Sequence, residues 1–154
     1  IAPLVSPDPV LAIAEADALI AASGARVNIG GGEAFYSPSH DFVQVPPQAA
    51  FHEPVNWYRT ALHELGHWTG HGSRLGRDQK GGFGSEAYAK EELVAEMAAA
   101  FTCASLGIAP TVRHSDYIAS WLSVLRDDEK AIFRAASAAS KASDFLLAFA
   151  GDDR

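Results

Sequence analysis

The stretch His63-Glu64-Leu65-Gly66-His67 has the form H-E-x-x-H and lies inside a helical pattern that spans residues 54–70. Side chains four residues apart share one face of a helix, so both imidazoles can reach one cation. Glu64 projects beside them, where it can contact a water bound to that cation. The stretch therefore predicts a zinc site with Glu64 as the general base of a hydrolytic reaction. The alternative is a pair of ordinary helix histidines beside a surface glutamate.

A catalytic zinc site needs a third protein ligand and keeps one position open for water. His71 extends the same helical stripe, but at a rise of about 1.5 Å per residue it lies about 12 Å from His63 along the axis, too far to share an ion. Ser73 stands where the longer pattern H-E-x-x-H-x-x-G-x-x-H requires its third histidine. The third ligand is therefore expected outside this helix.

Two acidic residues on the next predicted helix, Glu92 and Glu96, share one face of an otherwise apolar stretch. Carboxylates in apolar surroundings need a partner. We expect Glu92 to be the third zinc ligand and Glu96 to accept a hydrogen bond from one of the two histidines, which would fix the orientation of that ring. Glu91 is the alternative ligand if the register shifts by one residue. A solvated helix face would make Glu92 and Glu96 ordinary surface acids.

A zinc hydrolase also needs a hydrogen-bond donor that stabilises the oxyanion formed during the reaction. The candidates are His114 and Tyr117, at the start of the fourth predicted helix, and Tyr88, one turn before the expected ligand. Of these we favour Tyr117. The alternatives are that Tyr117 is a core aromatic and that His114 is an ordinary residue at the start of a helix. The strand over residues 41–45 is expected at the edge of the sheet, where an extended peptide substrate could pair.

The order of the elements predicts a single α+β domain over residues 1–154, dominated by helices and with a small antiparallel sheet in the N-terminal half. Helices are expected over residues 10–22, 54–70, 86–106, 115–126 and 128–149. Short β-prone pieces at residues 26–29, 34–36 and 41–45 predict an antiparallel meander. Three tryptophans fall in helical patterns and are expected in the core rather than stacked on bases: Trp57, Trp68 and Trp121.

The segment of residues 72–84 is rich in glycine and predicts a mobile loop. Such a loop either closes over a site as a lid or only connects two helices. Its basic residues Arg74, Arg77 and Lys80 are expected to be solvated. Contact of these residues with DNA or with an acidic peptide is the alternative.

The composition narrows the classes of function. The 154 residues include 12 Lys and Arg against 19 Asp and Glu, a net charge of −7, which argues against binding the DNA backbone through overall charge. A single cysteine, Cys103, excludes an intrachain disulfide and a thiolate zinc site, and we expect it to be a small buried apolar residue. The apolar runs fall short of the roughly 18 residues of a membrane span, so a cytoplasmic protein is expected. The start at Ile1 is expected to reflect excision from a longer protein.

A helix-borne H-E-x-x-H followed by an acidic helix resembles the gluzincin arrangement of zincins. Longer stretches extend the likeness over most of the chain: residues 34–38, 58–61, 63–71, 83–96 and 117–122. They are similar to the zincin-like C-terminal domain of ArdC-type antirestriction proteins and of related plasmid conjugation and TraC-like primase proteins. The resemblance implies a bacterial mobile-element protein with a metal centre of His63, Glu64, His67 and Glu92.

The same resemblance implies a separate N-terminal domain that binds single-stranded DNA. That domain is not recognisable in these residues, so DNA binding is not expected of them. The expected cofactor is zinc. The expected partners are a peptide or protein substrate and host restriction or DNA-transfer proteins. The alternative is a metal-binding interaction module without proteolytic activity.

Overall fold

The computed structural model describes residues 11–109 and 115–151, which contain five α-helices and three short strands. The helices are α1 (Ala14–Ser23), α2 (Val55–Trp68), α3 (Glu86–Ser105), α4 (Ser115–Val124) and α5 (Glu129–Leu147). The strands are β1 (Val27–Ile29), β2 (Phe35–Ser37) and β3 (Phe42–Val45). The predicted helix-dominated α+β class with a small N-terminal sheet is confirmed. Within the described residues, no helix is both long and apolar enough to cross a membrane.

The sheet is mixed, so the predicted antiparallel meander is wrong. The strand order is β1-β3-β2, with β1 parallel to β3 and β2 antiparallel to it. Val43 and Val45 of β3 are fully buried, whereas the residues of the other two strands are half-buried or exposed. The most apolar strand therefore takes the central position, where both of its edges are covered. The expectation that residues 41–45 form a sheet edge is wrong for the same reason, and β2 is an edge strand instead.

The core consists of two apolar clusters that meet along α3. One cluster packs α2 against β3 and α1 and contains Trp57 and Trp68, and the other packs α3 against α4 and α5 and contains Trp121. The tryptophans therefore lie in the core, as the helical patterns predicted. Cys103 is also buried, and burial raises the pKa of its thiol to about 11, which agrees with the expected apolar role.

Close contact between α2 and α3 positions the residues of the H-E-x-x-H stretch. A Cβ atom on Gly66 would lie 3.1 Å from Ala95 Cα and 3.2 Å from the Ala95 carbonyl oxygen. The absent side chain therefore lets the two helix backbones approach, and it brings residues 91–96 beside the two histidines. The start of α3 is fixed by the N-cap residue Ser85, whose Oγ accepts a hydrogen bond from the Tyr88 N–H at 3.1 Å.

Candidate metal centre

Three side chains from α2 and α3 bring their metal-binding atoms together. The ligand atoms of His63, His67 and Glu92 all lie within 4.8 Å of one another. Glu92 Oε2 is 3.2 Å from His63 Nε2, and Glu92 Oε1 is 3.2 Å from His67 Nε2. The two imidazole rings lie edge to face, with their centroids 5.0 Å apart. Both Nε2 atoms and the Glu92 carboxylate therefore face one small volume.

Each histidine ring is held by a further glutamate of α3. His63 Nδ1 lies 2.7 Å from Glu96 Oε2, and His67 Nδ1 lies 2.7 Å from Glu91 Oε2. An ionised carboxylate only accepts hydrogen bonds, so each Nδ1 carries a proton. The other ring nitrogen, Nε2, faces Glu92 in both histidines. The hydrogen bond expected of Glu96 is present, with His63 as its donor. Glu91, expected only as an alternative ligand, accepts from His67 instead.

The charges of this cluster favour protonated imidazoles and ionised carboxylates. Burial by itself lowers the pKa of His63, but hydrogen bonds to Glu92 and Glu96 outweigh it and raise the pKa to about 9. Burial likewise lowers the pKa of His67, and Glu91 and Glu92 raise it to about 10. Burial raises the pKa of Glu92, yet both histidines hold it well below its usual range. Metal binding at the Nε2 atoms must therefore release protons.

The cluster opens into a cleft of about 1060 Å³. Glu64 is buried and lines this cleft together with the three clustered ligands, and its negative charge contributes to raising the pKa of both histidines. The other walls are rich in aromatic side chains: Phe35, Tyr36, Phe83, Tyr88, Tyr117 and Trp121. A buried acid therefore lies beside a possible metal site in a cleft large enough for a peptide segment.

The chain matches a family model described as a zincin-like metallopeptidase over residues 14–138. The chain belongs to this family. Among curated relatives, it is 49% identical over 140 residues to DNA primase TraC of Escherichia coli, and the match covers 90% of this chain and 13% of the primase. The zincin-like domain therefore spans a small part of that relative.

Two crystal structures of the antirestriction protein ArdC from plasmid R388 resemble this zincin-like domain. The Mn(II)-bound structure has a TM-score of 0.81 and 41% sequence identity, and the match covers 94% of this chain and 55% of the ArdC chain. The metal-free structure has a TM-score of 0.78 and 43% identity, with 92% of this chain and 52% of the ArdC chain covered. The domain thus spans about half the length of ArdC, and the metal in the first structure is manganese.

The donor atoms of the zincin-like domain fit a divalent transition metal. Two imidazole nitrogens and one carboxylate oxygen are ligands of catalytic zinc sites, in which a fourth position holds water. Two ligands about 2.1 Å from a tetrahedral metal lie about 3.4 Å apart, close to the 3.2 Å that separates each Nε2 from the Glu92 carboxylate. The same nitrogen and oxygen donors also accept manganese, so the choice of metal is not fixed by the donor set.

Two of the three candidate oxyanion donors lie in the described part of the domain. Tyr117 lines the cleft and stacks on Trp121 with 61% of its surface exposed, which excludes the alternative of a buried core aromatic. Tyr88 is half-buried, and burial followed by the charges of Glu92 and Glu64 raises its pKa. The Tyr88 hydroxyl therefore remains a protonated donor near neutral pH. His114 lies outside the described residues.

The glycine-rich segment is anchored by two of its basic residues, so the expectation that these are solvated is wrong for both. The side chains of Arg74 and Arg77 are 12% and 13% exposed. The Arg74 guanidinium lies 3.9 Å from the centroid of the Trp68 ring and binds the Asp41 carboxylate, while Arg77 binds Glu91. Only Lys80 of the three is exposed. Two of the three positive charges considered for DNA contact therefore form ion pairs within the domain.

Sequence reasoning missed the role of Glu91 and the insertion of Arg77. Glu91 is 8% exposed and accepts hydrogen bonds from His67, Arg77 and Gln79. A signal was present, because two histidines expected to bind a metal need two acceptors for their second nitrogens, and α3 carries Glu91, Glu92 and Glu96 within six residues. The arginine had no comparable signal, since its position depends on the path of a loop.

Proposed function

We propose that this chain is a zinc-dependent metallopeptidase domain of a plasmid or mobile-element antirestriction or conjugation protein. The observation that carries the proposal is the convergence of His63, His67 and Glu92 beside the buried Glu64 in a large cleft. Proteins of this family share the fold, and the similar ArdC structure has been solved with a divalent metal. A metal-dependent hydrolytic site accounts for all four side chains together.

Each side chain of the site has a separate role in the proposed peptide hydrolysis. The site would, with zinc bound, gain a water whose pKa is near neutrality and a Lewis acid for the substrate carbonyl. Glu64 holds the proton taken from the attacking water and delivers it to the leaving amine. The Nε2 atoms of His63 and His67 and the carboxylate of Glu92 hold the metal, while Glu96 and Glu91 keep the rings in place.

The cleft offers features that suit a peptide substrate. β2 is an edge strand, and its Phe35 and Tyr36 line the cleft, so an extended chain has a strand to pair with. Tyr117 and Tyr88 provide hydroxyl donors for the oxyanion from the other wall. Phe83 and Phe35 are exposed, and they offer apolar surface to the side chains that flank the cleaved bond.

Replacement of Glu64 by Gln tests the mechanism. Glu64→Gln keeps the size of the side chain but cannot hold the water proton, so we expect unchanged metal stoichiometry and a loss of cleavage of about 10²–10⁴-fold. Peptidase assays on an unstructured protein substrate, with metal analysis of the same sample, measure both quantities. Glu33→Gln removes a carboxylate from another part of the cleft wall and should cleave like the wild type. Full activity in Glu64→Gln would contradict the proposed mechanism.

A second function is antirestriction by binding, without proteolysis. It is favoured by the description of the similar ArdC structures as an antirestriction protein. The longer protein that carries this domain, with Glu64→Gln introduced, distinguishes the two functions in a transformation assay against a restricting host. Protection that survives the substitution favours binding, whereas loss of protection with the metal retained favours proteolysis.

A further inference from the structure

The glycine-rich segment 72–84 and the two residues before it form a connection that we call the 70–84 loop. Arg77 connects this loop to both helices of the metal centre. Its Nε donates to Glu91 Oε1 at 2.8 Å, and its Nη2 donates to Glu91 Oε2 at 3.2 Å. This is the two-pronged contact that a guanidinium makes with a carboxylate. The same side chain donates to the Thr69 hydroxyl at 2.9 Å and to the Gly66 carbonyl at 2.7 Å. A single arginine therefore binds α3 through Glu91 and α2 through its last turn.

Glu91 is the acceptor that orients His67, and its position depends on the loop. Its Oε2 accepts from His67 Nδ1 at 2.7 Å and from Gln79 Nε2 at 3.1 Å. The two-pronged contact with Arg77 fixes the orientation of the Glu91 carboxylate, in which Oε2 faces His67. Without Arg77, Glu91 would hold the His67 ring less firmly.

The loop also supports the main chain that carries His67. The last carbonyls of a helix lack partners within the helix and attract positive charge. Arg77 and Gln79 add hydrogen bonds to two of them in α2, because Arg77 donates to the Gly66 carbonyl and Gln79 Nε2 donates to the His67 carbonyl at 2.6 Å. Ring and backbone of His67 are thus both held by the same loop.

Two glycines of the loop let neighbouring atoms pack closely against the main chain. A Cβ atom on Gly70 would lie 2.6 Å from Gln79 Nε2 and 2.7 Å from Arg77 Nη2. A Cβ atom on Gly81 would lie 2.7 Å from both Ala87 Cβ and the Tyr88 nitrogen at the start of α3. These contacts fix the loop against both helices, so it cannot open as a lid without withdrawing Arg77 from Glu91.

We propose that Arg77 is a positioning residue of the metal centre, which acts through Glu91 on His67 so that metal retention depends on the contact between Arg77 and Glu91. The proposal rests on the metal centre of the proposed function, but it does not depend on the reaction catalysed there. Its consequence is that loss of this one contact weakens metal binding without any change in the residues proposed as ligands.

The test compares zinc affinity in Arg77→Met and Arg74→Met, measured on the full chain by competition with a chromophoric chelator. Arg74 is a matched control, since it is a buried arginine of the same loop that contacts Asp41 and Trp68. We expect Arg77→Met to bind zinc about 10–100-fold more weakly. Arg74→Met should lower the unfolding temperature and leave zinc affinity unchanged. Equal losses in the two variants would show a general effect of loop stability and would overturn the proposal.

A double-mutant cycle with Glu91→Gln shows whether Arg77 acts through Glu91. Arg77→Lys keeps the charge but loses the two-pronged geometry, so it remains testable if Arg77→Met does not fold. In the wild-type background Arg77→Lys should weaken zinc binding, and in the Glu91→Gln background it should have almost no further effect. Additive losses would overturn the proposed route. A wild-type chain that binds no zinc would overturn the metal centre itself, whereas zinc binding without peptidase activity would contradict only the proposed reaction.

Discussion

Three glutamates of α3 contact different nitrogens of the two histidine rings. Glu92 faces both Nε2 atoms, whereas Glu96 and Glu91 each accept from one Nδ1. Glu92 and its neighbour Glu91 thus contact opposite nitrogens of the His67 ring. Helical spacing places Glu92 and Glu96 on one face, and this much followed from the sequence. The partner of Glu91 did not follow, because it depends on where α2 lies against α3.

Outside the metal centre, Asp41 connects the sheet to the 70–84 loop and should make the fold sensitive to acid. Asp41 accepts from the Tyr36 hydroxyl at 2.7 Å and from Arg74. Burial raises the pKa of Asp41, but the hydrogen bonds from Arg74 and Tyr36 outweigh it and lower the pKa. A carboxyl group whose pKa is lower in the folded state stabilises the fold above its unfolded pKa of about 3.9, and this contribution is lost as the pH falls through the folded value.

We therefore expect Asp41→Asn to lower the free energy of unfolding at pH 7 and to flatten its decrease below about pH 4. Urea unfolding at a series of pH values, with a chelator present to exclude metal effects, measures both changes. Asp78→Asn serves as the control, because Asp78 is an exposed aspartate of the same loop. An acid dependence of Asp41→Asn that parallels the wild type would show that the contact with Arg74 contributes nothing.

Among the secondary-structure elements, the crossing of α2 over α3 decides the geometry of the site. The helices approach at Gly66, inside the H-E-x-x-H stretch, where a side chain would meet the backbone of Ala95. On its other side α3 packs along α5, whose fully buried Ala135, Ala139 and Ala142 permit a close contact. The alanines of α5 recur at helical spacing in the sequence, whereas the contact at Gly66 falls on a position that the motif leaves unspecified.

Gly66→Ala should separate the two helices and weaken the metal site. Alanine gains about 1 kcal/mol of helix propensity over glycine, but overpacking against a neighbouring backbone costs about 1–3 kcal/mol. We expect a net loss of stability on the order of 1 kcal/mol together with weaker zinc binding. Urea unfolding and chelator competition measure the two effects. Gly72→Ala is the control, since a Cβ atom there meets nothing within 4 Å, and equal behaviour of the two variants would contradict the prediction.

In the whole molecule, the core does not depend on the metal centre. The two apolar clusters enclose α3 from both sides, and the candidate ligands lie beside them in the cleft. The length of the chain alone allows a core large enough to fold without a metal. The similarity to ArdC structures both with Mn(II) and without metal agrees with such an architecture. Metal should therefore add stability to a chain that is already folded.

We expect removal of zinc by a chelator to leave the chain folded at 25 °C but less stable. A metal present at 100 times its dissociation constant contributes about 2.7 kcal/mol, and a domain of this size changes its unfolding temperature by about 2–4 °C per kcal/mol. Thermal unfolding followed by circular dichroism should therefore shift by about 5–11 °C between zinc and chelator. His67→Ala should show almost no shift. Loss of the folded signal at 25 °C on chelation would contradict an independent core.

The sequence by itself determined the helices, the class of fold and the residues that meet at the candidate metal centre. These features follow from periodicity along a single helix and from local caps such as Ser85, so a few neighbouring residues suffice to specify them. The tertiary structure alone decided the strand order β1-β3-β2, the hydrogen bond between Glu91 and His67, and the insertion of Arg77. Each of these joins segments that are distant in sequence. Their energies depend on burial and on which partners the packed core brings within reach, and no local pattern encodes that.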